Sequence, residues 1–135
     1  MAAGVERTSN EPSGSGLVRG LLTSILPVLG ALAGCVLGWY TSTWAVHGFR
    51  DVFGVAELSG VPVRHRAPGV PGPTAGYWLS WAVPIGAVYV VSALLLWRWR
   101  HGRLLTGAVI VGFSVVVLFL VPTWVSMEVG GFAPT

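Results

Sequence analysis

The residues that could carry out chemistry are few and widely separated in this sequence. It contains three histidines, His47, His65 and His101, and one cysteine, Cys35, among 135 residues. Nucleophilic catalysis needs a serine or cysteine, a base and an orienting group that converge, and no spacing here indicates such a set. One cysteine cannot form a disulfide within the chain or a multi-thiolate metal site. We therefore predict no enzyme activity, no metal site and no cofactor.

Cys35 ends the tetrapeptide Leu-Ala-Gly-Cys, which has the pattern of a bacterial lipobox. In a lipobox the cysteine is lipidated and the leader before it is removed. However, the apolar run continues past Cys35 to Tyr40, whereas a lipoprotein normally becomes polar soon after its cysteine. We favour a thiol buried in a helix, with lipidation of Cys35 as the alternative, and the mass of the purified protein would distinguish the two.

A second polar group is the tripeptide Arg64-His65-Arg66. Its positive charge suits an anionic lipid headgroup or an acidic partner protein. The alternative is an ordinary solvated loop segment. We predict a partner contact at Arg64, His65 and Arg66 as one hypothesis for this loop.

The composition predicts the type of secondary structure that holds these residues. Hydrophobic residues make up 53% of the chain and charged residues 10%, whereas soluble domains carry about 25% charged residues. Three apolar runs, at about 17–40, 77–97 and 104–125, have the length of roughly 20 residues that a membrane-spanning helix needs. We predict an all-α integral membrane protein with one membrane domain over 17–126, a flexible tail at 1–16 and a short tail at 127–135.

The connections between the runs predict the orientation. Residues 41–76 form a Pro-rich outer loop, with a short interfacial helix from Phe49 to Leu58 that Gly60 ends. Residues 98–103 form a short inner turn with three arginines, and such clusters remain in the cytoplasm. We therefore predict a multi-pass protein of the bacterial inner membrane, with the N-terminus and the 98–103 turn cytoplasmic and the 41–76 loop and C-terminus external.

Small residues recur at four-residue spacing in all three runs, so they lie on one face of each helix. Such faces let helix backbones approach closely in membranes. The pattern does not say whether the partner of the first run is the second run, the third run or another protein. The predicted packing residues are Gly30, Gly34, Gly38, Ala82, Gly86, Ala108 and Gly112.

Ionisable residues are absent from the middle of the three runs. Proton relays, ion-coupled transport and voltage sensing need such groups at depth, so these functions are disfavoured. Ser92 and Ser114 are the clearly polar side chains near mid-span, and we expect them to bond to neighbouring helix backbones. The arginines are not interleaved with aromatic residues on a soluble face, which disfavours nucleic-acid binding.

These observations favour a non-catalytic accessory or scaffold subunit of a larger bacterial membrane complex. Respiratory, secretion and transport assemblies are all compatible, and the small-residue face of the first span is the expected contact. One alternative is a holin-like, pore-forming or membrane-perturbing oligomer. Another is a lipid- or quinone-binding membrane protein that uses the tryptophans at the outer surface.

Overall fold

The computed structural model describes residues 14–55 and 72–130. No strand occurs within these two ranges. The elements are α1 (Gly14–Tyr40), a π-helical segment (Thr41–Ala45), α2 (Val46–Val52), α3 (Ala75–Arg98), a 3-10 turn (Arg100–Gly102), α4 (Arg103–Val125) and a second π-helical segment (Ser126–Gly130).

Three of these helical stretches are long and apolar enough to cross a membrane: Gly20–Val52, Ala75–Arg98 and Arg100–Val129. Large apolar side chains are exposed on them; Val36 is 69% exposed, Leu118 74% and Phe119 73%. Soluble proteins rarely leave such large contiguous apolar surfaces open to water. Within the described ranges the predicted helical architecture is therefore present, with three helices long and apolar enough to span a membrane, and its surface suits hydrocarbon.

The first helix continues beyond the end that the sequence predicted. The residues after Tyr40, which were predicted to begin the outer loop, remain helical through the π segment and α2 to Val52. Thr41, Ser42 and Val46 are buried in this continuation. The helix therefore continues, with buried side chains, past the apolar run that predicted its length.

Gly54 ends this first helix, whereas the sequence predicted a separate interfacial helix ended by Gly60. Its φ angle is +60°, a conformation that glycine adopts without steric cost. The Val55 N–H donates to the Arg50 carbonyl at 3.0 Å, and the Gly54 N–H donates to the Asp51 carbonyl at 3.2 Å. This pair of bonds is a Schellman motif, which satisfies the last free carbonyls of the helix.

The glycine face of α1 packs against α4 of the same chain. A Cβ on Gly34 would overlap the Val109 carbonyl oxygen, and a Cβ on Gly112 would overlap the Ala31 carbonyl oxygen. The Cys35 thiol donates to the Gly112 carbonyl at 3.6 Å in the same contact. The structure therefore assigns the third span as the neighbour that the sequence left open.

The two ends of the helix bundle differ, and we name them by their residues. The Arg50 end contains Arg50, the first turns of α3 and the last turn after α4, and it holds a buried apolar core of Val46, Tyr77 and Trp81. The turn end contains residues 98–103 and the beginning of α4. There a cleft of about 480 Å³ separates α3 from α1 and α4.

Between the two ends, α3 and α4 are joined by one polar contact. The Tyr89 and Ser114 hydroxyls form a hydrogen bond of 2.8 Å, and the Tyr89 ring meets the Phe113 ring edge to face, with centroids 5.3 Å apart. The expectation that Ser114 bonds to a helix backbone was therefore wrong; its partner is a side chain on a neighbouring helix.

Candidate functional site

An ion pair joins two helix ends that are far apart in sequence. Arg50 lies in the last turn of α2, and Glu128 lies in the π segment after α4; their side chains are 15% and 17% exposed. The Arg50 Nη1 donates to Oε1 of Glu128 at 2.8 Å, and Nη2 donates to Oε2 at 2.6 Å. Bidentate, charge-assisted bonds of this kind are the strongest hydrogen bonds that side chains form. The pair therefore fixes the end of the first helix to the end of the last one.

Two aromatic residues of α3 complete this site. The Tyr77 hydroxyl donates to Oε2 of Glu128 at 2.7 Å. The guanidinium carbon of Arg50 lies 5.1 Å from the Tyr77 ring centroid and 5.6 Å from that of Trp81, within reach of a cation–π attraction. Tyr77 is completely buried and Trp81 is 5% exposed. We call Arg50, Glu128, Tyr77 and Trp81 the Arg50 cluster; it ties all three long helices together.

A glycine at the start of α3 lets that helix reach the cluster. A Cβ on Gly76 would lie 3.3 Å from Cγ2 of Val55 and 3.4 Å from the Phe53 carbonyl oxygen. Most side chains would therefore crowd the turn that ends α2. The close approach brings the next residue, Tyr77, beside Arg50.

Three buried polar atoms in this part of the chain have no hydrogen-bond partner among the described residues. They are the Ser42 hydroxyl oxygen, in a residue that is 1% exposed, Nε of Arg50 and Nε1 of Trp81. A buried donor without a partner costs about 1–3 kcal/mol, and π-helical turns such as the one that contains Ser42 are frequent at functional sites. Each of these atoms has hydrogen-bonding capacity that no described residue uses.

The chemistry open to the Arg50 cluster is limited by its own bonds. Both carboxylate oxygens of Glu128 accept hydrogen bonds, two from Arg50 and one from Tyr77. A carboxylate held in this way is poorly placed to remove a proton from a substrate. Within the part of the chain that the structure describes, no three histidine, cysteine, aspartate or glutamate side chains come together to hold a metal ion. The geometry favours fastening of helices over catalysis.

The chain matches no protein-family model, no curated protein and no solved structure.

The residues that the sequence singled out fall into three groups in the structure. Gly30, Gly34 and Gly38 face α4, and Ala108 and Gly112 lie on the other side of the same contact. In α3, Ala82 is exposed, and no atom of another described helix lies within 4 Å of a Cβ built on Gly86. Arg64, His65 and Arg66 lie outside the described residues, so the hypothesis of a partner contact there stays a prediction.

Cys35 is partly buried, beside the glycine face and against α4. The sequence predicted a buried helical thiol, and the thiol lies in the α1–α4 contact. Lipidation of Cys35 stays an untested alternative, for which the mass of the purified protein is the measurement.

Sequence reasoning did not pair Arg50 with Glu128. The two residues are separated by 78 positions, so no local spacing connects them. One signal was present, because Arg50 lies in the predicted outer loop, Glu128 follows the third apolar run on the same predicted side, and the two have opposite charges. Deciding that they touch, however, requires the length of the first helix beyond Tyr40, which hydropathy did not indicate.

Proposed function

We propose that this chain is a non-catalytic accessory or scaffold subunit of a larger complex in the bacterial cytoplasmic membrane. Its three apolar helices cross the bilayer, with the turn end in the cytoplasm and the Arg50 end outside. The three arginines of the 98–103 turn support this orientation, because short cytoplasmic loops are rich in Arg and Lys. Respiratory, secretion and transport assemblies are compatible hosts.

The surface that binds the larger complex is not the glycine face of α1. That face of α1 is filled by α4, with backbone atoms too close to admit even a Cβ at Gly34. A partner helix there would have to displace α4. The contact with the larger complex therefore has to use another surface of the chain.

The observation that carries the proposal is the uncovered beginning of α1. Gly30 lies against Leu105, near the start of α4. Since α1 begins 16 residues before Gly30 and α4 begins two residues before Leu105, the preceding turns of α1 extend past the start of α4 by about 21 Å at 1.5 Å per residue. Five apolar side chains on these turns are 46–58% exposed: Val18, Leu21, Leu22, Ile25 and Leu26.

These five side chains form one face, which we call the α1 stripe. Their spacing of three and four residues is that of an amphipathic helix, while Thr23 and Ser24 bond to the Gly20 carbonyl of their own helix. An apolar helix face of this kind is what a hydrophobic groove of a partner protein binds. The contact partner is a membrane subunit that offers such a groove near the cytoplasmic surface.

Co-purification from native membranes tests the proposal. We expect the tagged wild-type chain to retain larger membrane proteins in mild detergent. Leu22→Asp should remove them because it places a charge in the α1 stripe. Ser24→Asp is the matched control, since it adds the same charge two residues away on the opposite face, and it should retain the partners. Equal retention by both variants would refute the α1 stripe as the contact.

A further inference from the structure

The cleft at the turn end has the size and lining of a ligand site. Its volume is about 480 Å³, within the range of small-molecule pockets. The walls are apolar side chains of all three long helices, among them Leu37, Val91 and Val109. Along α3 the lining extends from Ala87 to Leu95, a distance of about 12 Å at 1.5 Å per residue. The cleft is therefore elongated and suits a flexible hydrocarbon chain.

Two hydroxyl groups interrupt this apolar lining. Ser92 of α3 and Thr106 of α4 line the cleft, and each residue is 7% exposed. Neither hydroxyl forms a hydrogen bond to another residue in ranges 14–55 and 72–130, and neither oxygen is among the fully buried polar atoms, so both are accessible from the cleft. Hydroxyl groups in apolar surroundings normally have a partner. An occupant that carries a hydrogen-bond acceptor would satisfy them.

The turn that adjoins the cleft is positively charged. Trp99 lines the cleft and lies between Arg98 and Arg100 in the sequence, and Arg103 follows in the same turn; all three arginines are exposed. The acidic residues that the structure describes, Asp51 and Glu128, both belong to the other end of the molecule. The charge of the turn is thus uncompensated by the described part of the chain, and clusters of this kind bind anionic headgroups.

We propose that the cleft binds one anionic phospholipid. The headgroup phosphate contacts the arginines of the 98–103 turn, an ester carbonyl accepts hydrogen bonds from Ser92 and Thr106, and one acyl chain lies between α3 and the α1–α4 pair. The order of charge, hydroxyl and apolar wall along the cleft matches the order of these groups in the lipid. Ser92 lies about 9 Å from the end of α3, and Thr106 about 5 Å from the start of α4, at 1.5 Å per residue.

Native mass spectrometry of the purified full chain in neutral detergent tests this proposal without any partner protein. The probes are phosphatidylglycerol and phosphatidylcholine with identical acyl chains. We expect one phosphatidylglycerol to bind about tenfold more tightly than phosphatidylcholine, a difference of about 1.4 kcal/mol. Inorganic phosphate at the same concentration should not displace it, because the acyl chain provides most of the contact.

Two variants of the same residue type in α3 locate the lipid. Ala87→Phe fills the cleft and should lower phosphatidylglycerol binding about tenfold. Ala93→Phe is the control, because Ala93 is exposed and does not line the cleft; its binding should equal that of the wild type. Replacement of Arg100 and Arg103 by glutamine should abolish the preference for phosphatidylglycerol. Equal binding by the two phenylalanine variants, or equal affinity of the wild type for both lipids, would overturn the proposal.

Discussion

The two ends of this helix bundle are held together in different ways. At the Arg50 end, α3 is fixed by the buried Tyr77 and Trp81, by a hydrogen bond to Glu128 and by the guanidinium of Arg50. At the turn end, the same helix is separated from its neighbours by a cleft of about 480 Å³. One apolar helix is thus tightly held at its beginning and loosely held towards its end.

The comparison shows what decides helix packing in this chain. Both halves of α3 are apolar, so hydrophobicity alone does not distinguish the closed end from the open one. In the proposed membrane setting, apolar surface gains little by leaving lipid for another helix, and close packing and polar contacts decide association. The Arg50 cluster provides such contacts at one end, whereas the hydroxyls of Ser92 and Thr106 meet no described partner at the other.

The largest loss of stability is expected when the contact between α1 and α4 is disrupted, because both ends depend on it. Gly34→Leu should lower the free energy of unfolding by more than about 5 kcal/mol. A side chain there would overlap backbone atoms of Val109 and Phe113, which cannot rotate away. Unfolding in detergent micelles, followed by circular dichroism, measures the change.

Gly20→Leu is the control for this substitution, because it lies on the same helix and a Cβ there meets nothing within 4 Å. Its unfolding should remain close to that of the wild type. If both variants lost a similar free energy of unfolding, the effect of Gly34→Leu could not be assigned to the α1–α4 contact.

A smaller effect is expected when the ion pair at the Arg50 end is broken. Glu128→Leu or Arg50→Met should each lower the free energy of unfolding by about 3–5 kcal/mol, since each leaves one buried charge without its partner. The double variant should recover much of this loss, because it removes both charges. A double-mutant cycle of unfolding measurements gives the coupling. Simple additivity of the two losses would contradict the bidentate pair.

The smallest effect is expected at the turn end. Thr106→Val should change the free energy of unfolding by less than about 0.5 kcal/mol, because the hydroxyl that it removes bonds to no described residue and the cleft has room for the methyl group. The same unfolding assay in lipid-free detergent measures it. A loss comparable with that of the ion-pair variants would mean that the turn end is as firmly held as the Arg50 end.

The sequence predicted the parts of this fold that depend on local pattern. Glycine spacing indicated a face for close approach at Gly30, Gly34 and Gly38, and the structure finds backbone contact there. Spacing alone could not choose between α3 and α4 as the neighbour, because both carry small residues at the same interval. That choice depends on how whole helices fit together.

Local sequence pattern could not predict the Arg50 cluster, for a related reason. Its ion pair requires the first helix to continue through a π-helical segment to Val52, and requires a second π segment to carry Glu128. Hydropathy marks where apolar residues stop, but not where the helical backbone stops. The charged residues just past the apolar runs were visible in the sequence, while their register was not.

The glycine contact between α1 and α4 has a consequence for how the protein is made. Cys35 and the Gly112 carbonyl that it meets are separated by 77 positions. At a synthesis rate of about 5–20 residues per second, α1 waits roughly 4–15 s before the helix that covers it has been translated. During that interval its glycine face is open to other small-residue helices. Early contacts with neighbouring nascent chains are therefore a hazard that this topology creates.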